Sequence, residues 1–299
     1  MKPMDVEAIE RSHPSLRHRD RSFDYAQADT SWGVHGIHPY PAMMIYPIAR
    51  RLLLEFTEEG DVVLDPFMGS GTVLVESLLQ SRYAYGIDIN PLALLLARAK
   101  TTRLKTATLL EALRELLYGP RKGSYAAPNF FNIHYWFKEE VIEALSLLLG
   151  RIDGLNDTAT KRFFKVAFSE TVRCCSNTRN AEFKLVRIKN LDEHKPDVLG
   201  VFNRIASRNI QKLSETYKNP LRTWVKIFEA DTRVPIEAIA PASIALILTS
   251  PPYGDSKTTV AYGQFSRLAL QWLGYEKVNV DRESLGGVPP PSLANDLPS

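Results

Sequence analysis

Val62-Val63-Leu64-Asp65-Pro66-Phe67-Met68-Gly69-Ser70-Gly71-Thr72 carries the strongest fold signal in the chain. An apolar run ends on a carboxylate, crosses a loop with two glycines, and enters the apolar pattern Val73-Leu74-Val75 and Leu78-Leu79. That pattern is strand, tight turn, helix. Gly69 and Gly71 permit backbone angles closed to other residues and let the main chain come close to a ligand. Downstream, Tyr83-Ala84-Tyr85-Gly86-Ile87-Asp88 ends in a second carboxylate. A glycine-rich first turn with an acid at the end of the next strand is the dinucleotide-type arrangement, the acid taking ribose hydroxyls. No Lys follows Gly71, which argues against a phosphate-gripping P-loop.

Outward from that stretch, a strand (61–65), a helix (71–81), a strand (83–88) and a helix from Pro91 to about Lys100 alternate. Pro91 suits a helix's first turn. Such alternation predicts an α/β fold, a doubly wound Rossmann-like parallel sheet with its ligand at the strands' carboxyl ends. Upstream, His38-Pro39-Tyr40-Pro41 forces an extended entry, and Ile48, Leu52, Leu53 and Phe56 predict a helix from Tyr46 to Thr57. His35 and His38 have no accompanying acid or cysteine pattern, so polar or packing roles are expected of them and no metal site. Past Pro220 the strand pattern returns. Thr223–Phe228 leads to Glu229-Ala230-Asp231, and the apolar run Ala242–Leu248 enters Thr249-Ser250-Pro251-Pro252-Tyr253. Two prolines directly after a buried strand make a rigid turn with free carbonyls and an aromatic ring beside them, a base-sized slot.

Between these halves, residues 105–220 lose the strand signal. Apolar spacings of three and four in Leu109–Leu117, Val141–Leu149, Phe163–Val172 and Val198–Leu213 predict a mainly helical insert. The chain therefore divides into an arm (1–34), a cofactor-binding part (35–104), a basic helical insert (105–220) and a part carrying the Pro-Pro-Tyr turn (221–299). The arm is either a solvated tail or touches DNA through its arginines. The aromatic-rich stretch 129–137 is expected to pack between insert and core rather than stack on bases.

The chain has 299 residues, 44% hydrophobic and 24% charged, a globular composition with a sizeable core. No apolar run reaches the roughly 18 residues of a membrane span and the N-terminus is polar, so a cytoplasmic protein without membrane contact is expected. Cys174 and Cys175 are adjacent, which suits neither a metal cluster nor an ordinary structural disulfide. Net charge is +3, but residues 101–225 carry 21 Lys+Arg against 13 Asp+Glu, a net of +8 set into a slightly acidic body. That distribution predicts a polyanion partner bound by the insert. Within it, residues 161–189 hold eight basic side chains against Glu170 and Glu182. Ser176-Asn177-Thr178-Arg179-Asn180 is expected to interrupt a helix there with small hydrogen-bonding residues that reach phosphates and base edges. Arg179 is the candidate base-edge contact, with Lys184 and Arg187 as phosphate contacts.

Asp-Pro-Phe-x-Gly-Ser-Gly-Thr at 65–72, taken with Ser-Pro-Pro-Tyr at 250–253, resembles the amino-methyltransferases of DNA, which use S-adenosylmethionine to methylate exocyclic amino groups. The resemblance covers roughly residues 35–100 and 223–275. It implies that Asp65 and the Gly69/Gly71 backbone, running into Thr72, hold the methionine portion of the cofactor. It further implies that Asp88 takes the ribose hydroxyls, Asp231 lies by the adenine amino group and Phe67 packs against the cofactor. Ser250 heading the Pro-Pro-Tyr motif resembles the cytosine-N4 branch; the adenine-N6 branch more often has Asp or Asn there. Carbon-5 methylation needs a nucleophilic Cys after Pro, which neither cysteine provides. The expected activity is cytosine-N4 methylation of duplex DNA in a restriction-modification system with a cognate restriction endonuclease. The target base is flipped onto Tyr253, and its amino group is held by Ser250 and the Pro251 carbonyl at the Pro251-Pro252 turn. Adenine-N6 methylation and a non-catalytic DNA- or cofactor-binding subunit are the alternatives. Only 46 residues follow Tyr253, poor in strand-forming runs, whereas sheets of this family continue with further strands. The expectation is a sheet lacking its C-terminal strands, with Ile244–Leu248 near an open edge and a second chain completing it.

Overall fold

The computed structural model describes residues 21–119, 125–179, 183–251 and 262–275. Four parallel strands form one sheet: β1 (Val62–Asp65), β2 (Tyr83–Asp88), β3 (Val225–Glu229) and β4 (Leu246–Ile247), in the spatial order β3-β2-β1-β4. The chain thus builds outward from β1 through β2 to β3, then returns to the other side of β1 with β4. The reversal leaves a crevice at the carboxyl ends of β1 and β4, the place where open sheets of this kind bind ligands. Strand register puts Asp65 opposite Gly86, and Asp88 opposite Glu229.

The helices flanking the sheet are α1 (Tyr46–Phe56), α2 (Thr72–Leu79) and α3 (Pro91–Lys100). Capping sets where α3 begins. Asn90 accepts the Leu92 N–H at 3.0 Å and Pro91 fills the first turn, where no N–H is needed. Leu94 and Ala97 of α3 face the sheet with Leu74 and Ala84, while Leu92, Ala93, Leu96 and Ala99 face away from it. A helix apolar on both faces has to be covered twice, and the segment 105–220 supplies the outer cover.

That segment folds into α4 (Thr106–Tyr118), the single turn α5 (Ile133–Trp136), α6 (Glu139–Asp153), α7 (Thr158–Cys175) and α8 (Val198–Thr216). Asp157 and Asp197 cap α7 and α8 through the N–H groups of Thr160 and Gly200. Val75 and the outer residues of α3 share one continuous buried cluster with α4, α6, α7, α8 and with α9 (Tyr262–Trp272). Phe130, Ile133 and Phe137 are buried in it and Trp136 packs against it, whereas Phe131 and Tyr135 are exposed, so only part of the aromatic lead-in packs into the cluster. Trp272 is ringed by Phe130, Phe137 and Phe168.

The apolar run at 242–248 yields only a two-residue strand. β4 pairs with β1 on one side, and no strand pairs with its outer side among the described residues. Ile247 is 61% exposed there, as expected of an edge. No helix among the described residues is long and apolar enough to cross a membrane.

Candidate active site

Asp65, the last residue of β1, is only 3% exposed. Its Oδ1 accepts a hydrogen bond from Thr249 Oγ1 at 2.7 Å and from the Phe67 N–H at 3.2 Å. Among the described residues no basic nitrogen pairs with it. Burial pushes its pKa up to about 7; the two hydrogen bonds oppose that rise and the nearby Asp88 charge adds to it. The result is a desolvated carboxylate short of a cation, at the mouth of the crevice.

Asp88, ending β2, accepts the Gly69 N–H on Oδ2 at 2.9 Å and the Asn90 N–H on Oδ1 at 2.8 Å. Burial raises its pKa too, against these hydrogen bonds. The carboxylate therefore fixes the glycine turn, and each oxygen keeps a lone pair for a further donor. The turn itself requires glycine. Gly69 has φ 49° and Gly71 φ 84°. A Cβ at Gly71 would lie 2.9 Å from the Ala97 Cβ, and one at Gly69 would lie 3.3 Å from the Tyr40 ring. Phe67, at the tip of the turn, is 41% exposed, while Thr72 is buried as the first residue of α2.

The structure brings Ser250 and Pro251 to the same edge. They follow β4 after Leu248 and Thr249, are exposed, and adjoin Thr249, whose hydroxyl reaches Asp65 across the crevice. Pro252 and Tyr253 lie outside the described residues. Asp231 follows β3 on this edge, next to Ala230, whose N–H donates to the Asp88 carbonyl at 3.3 Å. Its carboxylate is taken up by Arg233 with both Nε contacts at 3.0 Å, and this pairing holds its pKa below the usual range.

Three residues of the site were not singled out from the sequence. Thr249 joins the Asp65 strand to the Ser-Pro-Pro strand. Asn90 Nδ2 donates to Tyr40 Oη at 3.2 Å and to Ser266 Oγ at 3.1 Å, tying the His-Pro-Tyr-Pro entry to α9. The third, Tyr40, lays its ring against Gly69. Their local signals were slight: a Thr adjoining a motif, an Asn before a helix proline and a Tyr between prolines.

The basic segment behaves differently from its sequence reading. Helix α7 ends at Cys175, and the described residues 176–179 do not interrupt a longer helix; instead Thr178 bridges Arg187 in antiparallel fashion, while Asn180 lies outside the described residues. The Arg179 N–H donates to the Val186 carbonyl at 2.8 Å and the Ile188 N–H to the Asn177 carbonyl at 3.0 Å. Small residues break the helix locally, but the pairing comes only from a segment about ten residues on. Arg179 and Lys184 are exposed. Arg187 is half-buried, its guanidinium carbon 4.1 Å from the centre of the Tyr135 ring.

The remaining polar clusters are internal. His35 pairs with Glu76 at 2.8 Å, and Glu76 also accepts from Arg50. His38 meets Ser169 Oγ at 2.9 Å, and burial lowers its pKa to about 4. Among the described residues no group of three His, Cys, Asp or Glu side chains suits a metal ion. Burial pushes the Cys174 and Cys175 thiols up to about 11 and about 12, far from a thiolate nucleophile.

A parallel sheet in this order, with a glycine turn and the buried Asp65 beside the Thr249-Ser250-Pro251 segment at the reversal point, defines a Rossmann-like methyltransferase domain. Known proteins narrow the class. A family model described as DNA methylase matches residues 5–98. The chain is 37% identical over 311 aligned positions to the type II methyltransferase M.MvaI of Kocuria varians, covering 95% of this chain and 68% of that protein. It is 35% identical over 99 residues to the type II methyltransferase M.MjaII of Methanocaldococcus jannaschii, which covers 33% of this chain and 19% of that protein. With M.Cfr9I of Citrobacter freundii the identity is 36% over 84 residues, 26% of this chain and 27% of that one. The chain belongs to the N4/N6 DNA methyltransferase family. S-adenosylmethionine is that family's methyl donor. The donor set fits it: a cation-poor buried carboxylate beside a narrow glycine turn suits a ligand carrying an ammonium and a sulfonium.

Proposed function

We propose that the chain methylates the exocyclic N4 amino group of cytosine in duplex DNA, as the modification partner of a cognate restriction endonuclease. The observation that carries this reading is Ser250, placed just past β4 and one residue from the Thr249–Asp65 hydrogen bond. Serine in that place is the feature that resembles the cytosine-N4 branch.

In this reading Asp65 and the Gly69/Gly71 main chain hold the methionine end of S-adenosylmethionine, and the free lone pairs of Asp88 take its ribose hydroxyls. Phe67 packs on the cofactor, and Asp231, released from Arg233, stands by its adenine. Bound there, S-adenosylmethionine supplies an electrophilic methyl group on sulfur. Base flipping costs a few kcal/mol, least for a base without a sound pair. Ser250 and the Pro251 carbonyl then accept hydrogen bonds from the flipped amino group. That keeps its lone pair out of ring conjugation and turned toward the cofactor side of the crevice. Catalysis arises from positioning and from a fixed polar slot rather than from a covalent enzyme intermediate. The raised thiols of Cys174 and Cys175 agree with that.

Transfer of tritium from methyl-labelled S-adenosylmethionine to unmodified bacterial duplex DNA tests the assignment. Wild-type chain should label DNA at a defined sequence, mapped by sequencing the product, while Asp65→Ala and Ser250→Ala should each lose at least about tenfold in rate. Equal labelling by all three proteins would sink the proposed site.

A further inference from the structure

The proline-stiffened entry at 38–41 carries a buried histidine that the methyl-transfer chemistry leaves unused. His38 is 2% exposed and stands two residues before Tyr40, the ring against Gly69. Burial lowers its pKa to about 4, against the pull of Glu170, so at pH 7 the ring is neutral and carries one N–H. Nδ1 meets the Pro39 carbonyl, which can only accept, so that proton sits on Nδ1. Nε2 is then an acceptor, and Ser169 Oγ lies 2.9 Å from it. The same hydroxyl lies 2.8 Å from the Val166 carbonyl, which already accepts an N–H inside helix α7. Ser169 therefore gives its proton to His38, because a buried ring nitrogen left unsatisfied costs more than a second bond to a paired carbonyl gains.

A path of contacts follows from the insert to the cofactor turn. Ser169 belongs to α7, within the segment 105–220, and is itself buried. Pro39 and Pro41 restrict the backbone on both sides of Tyr40, so the orientation of His38 is passed on rather than absorbed. Phe265 of α9 meets both rings edge-on, with centroids 6.1 Å from His38 and 6.3 Å from Tyr40. Tyr40 Oη accepts from Asn90 Nδ2, and the Asn90 N–H goes to Asp88. The Tyr40 ring then stands against the turn whose Gly69 N–H the same Asp88 holds.

We infer that His38 is a positioning residue through which the helical insert sets the glycine turn for S-adenosylmethionine. The inference rests on the assignment of that turn to the cofactor. At its depth His38 has no surface to offer cofactor or DNA; it acts by fixing where the Tyr40 ring stands. Without the Ser169 hydrogen bond the entry keeps its prolines but loses its anchor on α7. Cofactor affinity then falls while the exposed basic surface of the insert is unchanged.

Calorimetric titration with S-adenosylmethionine, beside anisotropy titration with duplex DNA containing the mapped methylation site, tests this on the full chain. Ser169→Ala should raise the cofactor dissociation constant about fivefold or more and leave the DNA dissociation constant within about twofold. His38→Asn keeps a donor for Pro39 but loses Ser169, and should match Ser169→Ala. His38→Gln reaches Ser169 and should recover most of the affinity. Because the pair acts as one unit, the Ser169→Ala/His38→Asn double variant should bind cofactor within about twofold of the weaker single variant, whereas independent effects would multiply to about 25-fold. Thr171, buried in the same helix, donates to the Ala167 carbonyl; Thr171→Val controls for lost helix stability and should leave cofactor affinity within about twofold. If Ser169→Ala melts below the titration temperature, Ser169→Cys gives the same contrast with the shape kept and the donor weakened. Unchanged cofactor affinity in Ser169→Ala, multiplying effects in the double variant, or an equal loss in Thr171→Val overturns the link. Wild-type chain that binds no S-adenosylmethionine overturns the cofactor assignment itself, and the link with it.

Discussion

Titration of Asp65 should be visible in cofactor binding. Its carboxyl is neutral below about pH 7 in the unliganded chain, against an ordinary value of 3.8, because burial strips its water without supplying a cation. That displacement corresponds to roughly 4 kcal/mol favouring the protonated form. A ligand ammonium binds the ionised carboxylate, so each cofactor bound below pH 7 expels a proton. The dissociation constant should therefore rise about fivefold from pH 7 to 6 and about tenfold from pH 6 to 5, roughly fiftyfold in all. The window stops below about pH 7.7, where an α-amino group begins to lose its own charge. The sign for folding is opposite. Native Asp65 holds its proton more tightly than the unfolded chain, so its stability contribution is full below about pH 4 and lost as pH rises through about 7. Asp88 is shifted in the same direction, and Asp65→Asn separates the two. Calorimetric titration with S-adenosylmethionine at pH 5, 6 and 7, in buffers of different ionisation enthalpy, gives both affinity and proton release. The wild type should release close to one proton at pH 6, whereas Asp65→Asn should bind weakly with its pH dependence much reduced. Wild-type affinity that is flat from pH 5 to 7, without proton release, would refute the reasoning.

Lys100 is fully buried with no hydrogen-bond partner for Nζ among the described residues, and burial lowers its pKa to about 7. The unfolded chain keeps that proton up to about 10.5, so stability should rise from pH 7 to 10; Lys100→Met should remove the rise and add on the order of 3 kcal/mol at pH 7 in urea unfolding. Gly71→Ala forces a left-handed backbone on a Cβ that meets Ala97 at 2.9 Å, and should cost about 2 kcal/mol and weaken cofactor binding more than it lowers Tm. Lys184→Gln should reduce the salt slope of DNA binding by about one unit without changing the methylated sequence, whereas Arg179→Ala should relax that sequence by about 1–3 kcal/mol if it grips guanine.

Local chemistry made much of the sheet legible. The span 83–88 is β2 itself, and Pro91 to Lys100 is α3 at both ends, because an Asn cap, a first-turn proline and basic last-turn residues mark those limits within the helix. Asp65 and Asp88 could be placed at strand ends for the same reason. What escaped depended on partners distant in sequence. The run 242–248 looked like a full strand, but pairing with β1 alone supports two residues of it. The pairing of 176–179 with 183–188 depends on Thr178 meeting Arg187 and on Gln264 of α9, none of which composition reveals. Thr249 became a site residue only because the topology sets β4 beside β1, 184 residues away in sequence from Asp65. Asp231 was expected to lie by the adenine amino group, and its pairing with Arg233, two residues on, was not legible in the sequence.

In the function proposed above, Ser250 and Pro251 beside Asp65 present the N4 amino group of cytosine for methylation. Nucleoside mass spectrometry of DNA from cells expressing the chain measures that outcome directly. N4-methylcytosine should appear with the wild type and vanish with Ser250→Ala and Asp65→Ala. N6-methyladenine without N4-methylcytosine would contradict the assigned target, and the absence of both bases would favour a subunit that binds DNA or cofactor without catalysis.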